Sequence, residues 1–186
     1  MKLSTRDLVL TALLAALTAI GAFLKIQIPV EGIPAITLQF FFTAMAGVLL
    51  GAKYGAISQA VYVLLGLVGL PIFTMGGGFS YVLQPSFGFL VGLIPSAWVI
   101  GMLCKNTKKF VPMALGILAG LAVLYLIGTP YMGLILNLYL GKGMSVWQIV
   151  RAGCLLYLPG DALKIVVCTL LCGALRTRMP KALATT

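Results

Sequence analysis

Six apolar runs occupy most of this chain, and they leave few folds open to it. They cover approximately residues 8–28, 34–52, 54–73, 85–104, 110–140 and 152–175. Each is close to the ~20 residues an α-helix needs to cross the hydrocarbon of a bilayer. Inside lipid every backbone N–H and C=O must find a partner within the chain, so only helices and closed barrels span it. These runs are continuous and lack the alternation of a barrel strand. The expected fold is all-α: a polytopic membrane protein of six transmembrane helices, one domain over residues 1–186. Only 9% of its residues are charged, against about 25% in soluble domains. The fifth run is longer than one crossing needs and holds Gly128-Thr129-Pro130, so a tilt, a kink or an early end is expected there. Pro95 interrupts the fourth run, and the sixth has a possible earlier start near Ser145.

The N-terminus has Lys2 and Arg6 before an apolar run from Leu8 to Leu24. That run exceeds the ~7–15 residue core of a signal peptide, and further spans follow, so it reads as a retained first helix. An even number of spans puts both termini on one side. Lys2, Arg6, Lys53, Lys105, Lys108, Lys109, Arg176, Arg178 and Lys181 then share a face, opposite Lys25, Lys142 and Arg151. The positive-inside rule makes the richer face cytoplasmic. The net charge of +10 is accounted for by these run-end residues. No basic patch with interleaved aromatics is present, so nucleic acid is not an expected partner.

Several chemistries drop out. There is no histidine, which excludes imidazole acid–base catalysis and leaves a zinc site only thiols to use. Cys104, Cys154, Cys168 and Cys172 lie in or at the ends of apolar runs without a C-x-x-C pair. They read as small buried hydrophobes. No cofactor or metal is expected. No phosphate-binding G-x-x-x-x-G-K-[ST] motif occurs, so Gly76-Gly77-Gly78 is read as a tight lid conformation rather than a nucleotide cradle.

Two charges fall inside the sixth run: Asp161 and Lys164, in Tyr157-Leu-Pro159-Gly160-Asp161-Ala-Leu-Lys164. A charge at membrane depth costs about 2.5–3.5 kcal/mol on insertion scales. Spaced i, i+3, the two side chains share a helix face, with Tyr157 one turn before. A pair that only welds helices is a poor source of stability, because desolvation cancels much of the attraction. A polar ligand site facing the bundle interior is favoured. Pro159-Gly160 frees backbone groups that lipid would not tolerate, which again points to a cavity or protein neighbour. The connections 29–34 and 69–85 are apolar and aromatic where loops are usually polar. They read as covers over a site, the alternative being rest in the headgroup zone. In the first helix, Ala12, Ala15, Ala16 and Ala19 form small-xxx-small spacings that suit either internal packing or docking of another helix.

The Tyr157–Lys164 element, the glycine-rich loop and Pro85-Ser86-Phe87-Gly88-Phe89 together resemble the BioY family, the biotin-binding S-components of bacterial energy-coupling factor (ECF) transporters. The resemblance covers nearly the whole chain. It implies a multi-pass protein of the bacterial cytoplasmic membrane, with the vitamin held near the external side. It also implies docking through the helix-one alanines on a transmembrane coupling protein, energy from two cytoplasmic ATPases, and no enzymatic activity. For such a ligand, an ionised Asp161 accepts from ureido N–H groups, and Lys164 donates to the ureido carbonyl or a carboxylate. Their Cβ atoms are about 5–6 Å apart, so the pair is expected to grip one end, the ureido group. Gln84, Tyr81, Phe79 and Arg151 are then expected near the remainder of the ligand. An S-component for another vitamin and a self-sufficient secondary transporter, with Asp161 as its proton-coupling carboxylate, are the rival readings. An intramembrane enzyme is disfavoured, because one buried carboxylate without histidine makes a poor acid–base pair.

Overall fold

A computed structural model describes residues 4–28, 33–105, 107 and 109–178. Lys2, Glu31, Lys108 and Lys181 lie outside the described residues, as does most of the 29–34 connection. The chain is mostly helical. Helix α1 spans Thr5–Phe23, α2 Gln39–Leu67, α3 Phe87–Leu103 and α4 Phe110–Leu134, the last running into a π-helical turn at Ile135–Tyr139. Helix α5, Val146–Val150, continues as a π turn over Arg151–Leu155, and α6 spans Leu158–Arg178. One departure from an all-α fold is a two-residue antiparallel ribbon. It pairs β1 (Lys25–Ile26) with β2 (Ile36–Thr37) across the ends of the first connection.

Among the described residues, four helical stretches are long and apolar enough to cross a membrane: Thr5–Phe23, Gln39–Leu67, Phe110–Tyr139 and Val146–Arg178. Helix α3 is shorter and apolar. The α2 stretch is not straight. Gly51 has φ 76° and ψ 179°, a backbone that only glycine adopts without strain. Gln39 Nε2 donates to Tyr62 OH at 2.8 Å, and Thr43 Oγ1 donates to Gln59 Oε1 at 2.9 Å. In a straight helix the first pair would be ~35 Å apart. So α2 is a hairpin of two antiparallel arms, broken where the sequence placed the turn between its second and third runs. Gly101 of α3 packs directly on that turn: a Cβ there would sit 2.2 Å from Ala52 N.

The ends of the other helices shift for local reasons. Ser145 accepts from Gln148 N and the Gln148 side chain returns to Ser145 N, a capping box that starts α5. Pro159 is the second residue of α6, where its missing N–H leaves no helical bond unmade. The sixth helical stretch thus starts at the earlier position near Ser145, as a short helix, a π turn and a longer helix.

The apolar core is filled by Tyr62, Phe73, Ile100, Met113, Ile117 and their neighbours. Several polar groups inside it are partnered, although Thr11 Oγ1 on α1 is buried without a partner among the described residues. Thr18 Oγ1 donates to Leu14 O at 2.8 Å, and Gln59 joins Thr43 to Thr18, linking α1 with both arms of α2. At one end of the bundle Arg176 donates to Cys104 O at 2.6 Å, to Thr107 O at 2.7 Å, and to Val48 O. Those carbonyls lie at or near helix C-termini, which carry partial negative charge. The candidate site is at the other end of α6, fifteen residues and ~22 Å away.

Candidate ligand-binding site

A cavity of about 630 Å³, open mouth included, lies between the first turns of α6, the heads of α2 and α3, and α4. Its wall is largely apolar: Pro34, Ala35, Phe40, Phe89, Leu90, Leu93 and Leu124. The polar groups are Thr37, Gln39, Thr74, Tyr81, Ser86, Tyr125, Tyr157, Asp161 and Lys164.

Asp161 and Lys164 form the ion pair that their spacing allows. Lys164 Nζ is 2.7 Å from Asp161 Oδ1, with the side chains 11% and 7% exposed. Tyr125 OH donates to Asp161 Oδ2. Each carboxylate oxygen accepts two hydrogen bonds and an ammonium donates three. The pair is therefore held rigidly from α4 while keeping acceptor and donor capacity for a ligand. Tyr157, one turn earlier, donates to Pro34 O at 2.5 Å, so the start of α6 holds the first connection against the cavity.

The glycine loop supplies the opposite wall. Phe73 is wholly buried, its ring 5.5 Å from that of Tyr62 and 4.7 Å from that of Tyr81. It seats on Gly66, where a Cβ would lie 2.1 Å from the ring. Gly78 N donates to Gly66 O at 2.7 Å, Tyr131 OH to Val82 O at 2.5 Å, and Lys25 Nζ to Thr74 O. Gly76 and Gly78 have φ 113° and 100°, and a Cβ at Gly77 would meet Leu70 O at 2.1 Å, so the triplet is needed for this turn. Seated in this way, the loop turns Thr74 and Tyr81 inward. Tyr81 OH is 2.8 Å from Thr74 Oγ1 and accepts from Ser86 Oγ at 3.2 Å.

Of the residues expected from sequence, Asp161, Lys164, Tyr157 and Tyr81 share the cavity. Gln84 does not line it. With Ser80, Tyr139 and Tyr81 it borders a separate outer hollow. Phe79 is 79% exposed, on the outward side of the 3₁₀ turn Phe79–Leu83. Arg151 is exposed on the π turn before α6. Along α1, Ala12 and Ala16 are exposed and Ala19 is half-buried, whereas Ala15 faces the core at 5% exposure. The sequence reading missed Tyr125, Thr74, Ser86, Thr37 and Gln39. Thr37-Leu38-Gln39 had a signal, two polar residues at the mouth of an apolar run. Tyr125 had none, since a lone tyrosine in a span is unremarkable.

Fold and cavity together define a class: a small helical membrane protein with a mostly apolar cavity and a few placed polar groups at one end. A family model described as the BioY family matches residues 1–181, and the chain belongs to that family. A probable biotin transporter BioY of Lysinibacillus sphaericus is 45% identical over 154 residues, 81% of this chain and 76% of that one. The biotin transporter BioY of Rhizobium etli is 37% identical, covering 96% and 97% of the two chains. That of Thermotoga maritima is 34% identical, covering 89% and 93%. Among solved structures, a crystal structure of the S-component for biotin from an ECF-type ABC transporter superposes with a TM-score of 0.84. It is 25% identical and all of both chains is covered.

Proposed function

We propose that this chain is a biotin-binding membrane subunit for vitamin uptake, working with an ECF coupling protein and two ATPases. The observation that carries the reading is the Asp161–Lys164 pair facing a largely apolar cavity in a member of the BioY family. Biotin has an apolar bicycle and chain, a ureido group at one end and a carboxylate at the other. Asp161 accepts from the ureido N–H groups and Lys164 donates to its carbonyl. The hydroxyls of Thr74, Tyr81 and Ser86 face the remainder of the ligand, in place of Gln84, Phe79 and Arg151.

The chain acts as one membrane domain over residues 1–186. The two arms of α2 count as separate crossings, giving six with α1, α3, α4 and α5–α6. Both termini lie in the cytoplasm, and the cavity is on the external side. Arg6, Lys53, Lys105, Lys109, Arg176 and Arg178 support this orientation by the positive-inside rule. Ala12 and Ala16, exposed on α1, form the docking face for the coupling protein.

Calorimetric titration of the purified chain with biotin, thiamine and riboflavin tests the assignment. Tight binding of biotin alone is expected. Binding of another vitamin in place of biotin would overturn the ligand and leave the fold standing.

A further inference from the structure

Gln39 and Tyr62 form a chain of hydrogen bonds from the cavity wall to the backbone of the glycine loop. Thr37 Oγ1 donates to Gln39 Oε1 at 2.9 Å, Gln39 Nε2 donates to Tyr62 OH at 2.8 Å, and Tyr62 OH donates to Ile72 O at 3.1 Å. Gln39 is 8% exposed and Tyr62 1%. Gln39 lines the cavity. Ile72 immediately precedes Phe73, which seats the loop, and Thr74, which lines the cavity.

A phenol has one proton to give. Tyr62 gives it to Ile72 because Gln39 presents an N–H and not an oxygen. If the Gln39 amide turns over, its oxygen faces Tyr62, claims that proton, and leaves the Ile72 carbonyl unheld. Thr37 Oγ1 either donates or accepts, so it is satisfied by both orientations. Within the protein the two states differ in whether Ile72 is tied down. Among the described residues the Gln39 amide uses one of its two N–H groups, so a ligand acceptor in the cavity can take the other. With the amide turned over, that acceptor would meet a lone pair instead.

We propose that Gln39 is a positioning residue that couples occupancy of the cavity to the glycine loop. A ligand oxygen fixes the amide in the orientation that lets Tyr62 hold Ile72, and in an empty cavity the amide turns over part of the time and releases it. The coupling rests on the cavity being the biotin site; the latch itself does not.

Hydrogen exchange of the amides in residues 69–78, with and without biotin, tests both parts. Tyr62→Phe keeps the ring against Phe73 and removes the proton. Gln39→Glu, at pH 8, offers only acceptors and claims that proton. Each is expected to speed exchange in ligand-free protein about two- to tenfold, the weight of one hydrogen bond. The double variant should exceed neither single, because both cut the same link. Gln39→Met leaves Tyr62 always free to hold Ile72, so its ligand-free exchange should be slower than the parent's, and adding biotin should slow it less than it slows the parent. Unchanged exchange in Tyr62→Phe, or effects that multiply in the double variant, would overturn the latch. Biotin protection as large in Gln39→Met as in the parent would overturn the coupling. If titration shows that the parent does not bind biotin, the functional reading and the coupling fall together, while the ligand-free measurements still decide the latch.

Discussion

Replacing Lys164 with methionine tests whether the buried pair is a grip or a weld. Methionine keeps most of the side-chain length and removes the charge. Asp161, with 7% of its side chain exposed, would lose its 2.7 Å partner and retain only Tyr125. Removing one member of a buried pair typically costs about 3–5 kcal/mol, because the other charge is left uncompensated. At ~2–4 °C per kcal/mol for a chain of this length, melting should fall by roughly 6–20 °C. The double variant Asp161→Asn/Lys164→Met leaves no orphan charge and should recover most of that loss. Affinity should behave differently. A hydrogen bond to a charged group contributes about 1.5–3 kcal/mol, so losing it weakens binding roughly 10- to 150-fold. The double variant should not regain that affinity. Thermal melts of the purified variants and calorimetric titration with biotin read the two effects separately. Binding within about threefold of the parent in the double variant would refute the grip. A Lys164→Met protein that melts with the parent would refute the interdependence of the pair.

Three further outcomes follow from the same geometry. Phe73→Ala empties the socket between Gly66, Tyr62 and Tyr81, at a cost of about 3–5 kcal/mol. It should speed release of radiolabelled biotin, and an unchanged release rate would contradict the seating role. Arg176→Gln removes a charge held by three carbonyls and should lower the melting temperature. Affinity should stay within about threefold, because the cavity is ~22 Å away along α6. Phe79→Ala and Arg151→Gln alter exposed side chains outside the cavity, so titration should return the parent's affinity for both; a tenfold loss in either would return that residue to the site.

The sequence made the helices and the pair visible for one reason. Lipid tolerates neither open backbone nor lone charge, so apolar runs and intramembrane charges carry strong signals. The turn at Gly51 was visible because Lys53 and two flanking glycines interrupt the apolar pattern. The partners of the pair were not. Tyr125 reaches Asp161 from 36 residues away, and no spacing rule connects them. Arg176 carries more than its place in the charge pattern shows: its guanidinium donates to carbonyls of Val48, Cys104 and Thr107, distant in sequence. Gln84 and Arg151 were chosen for their chemistry and for proximity in sequence. The 3₁₀ and π turns then carried them away from the cavity.

The contacts of α6 also set the order in which the protein is finished. Tyr157 bonds Pro34 across 123 residues, Cys168 bonds Phe41 across 127, and Arg176 bonds Val48 across 128. Contacts so distant in sequence form late, after the loop between them has been closed. During synthesis the hairpin of α2 and the two helices after it emerge with one side of the cavity missing. Its ion pair arrives with the last helix. The cavity is thus closed on all sides only once the last helix is made.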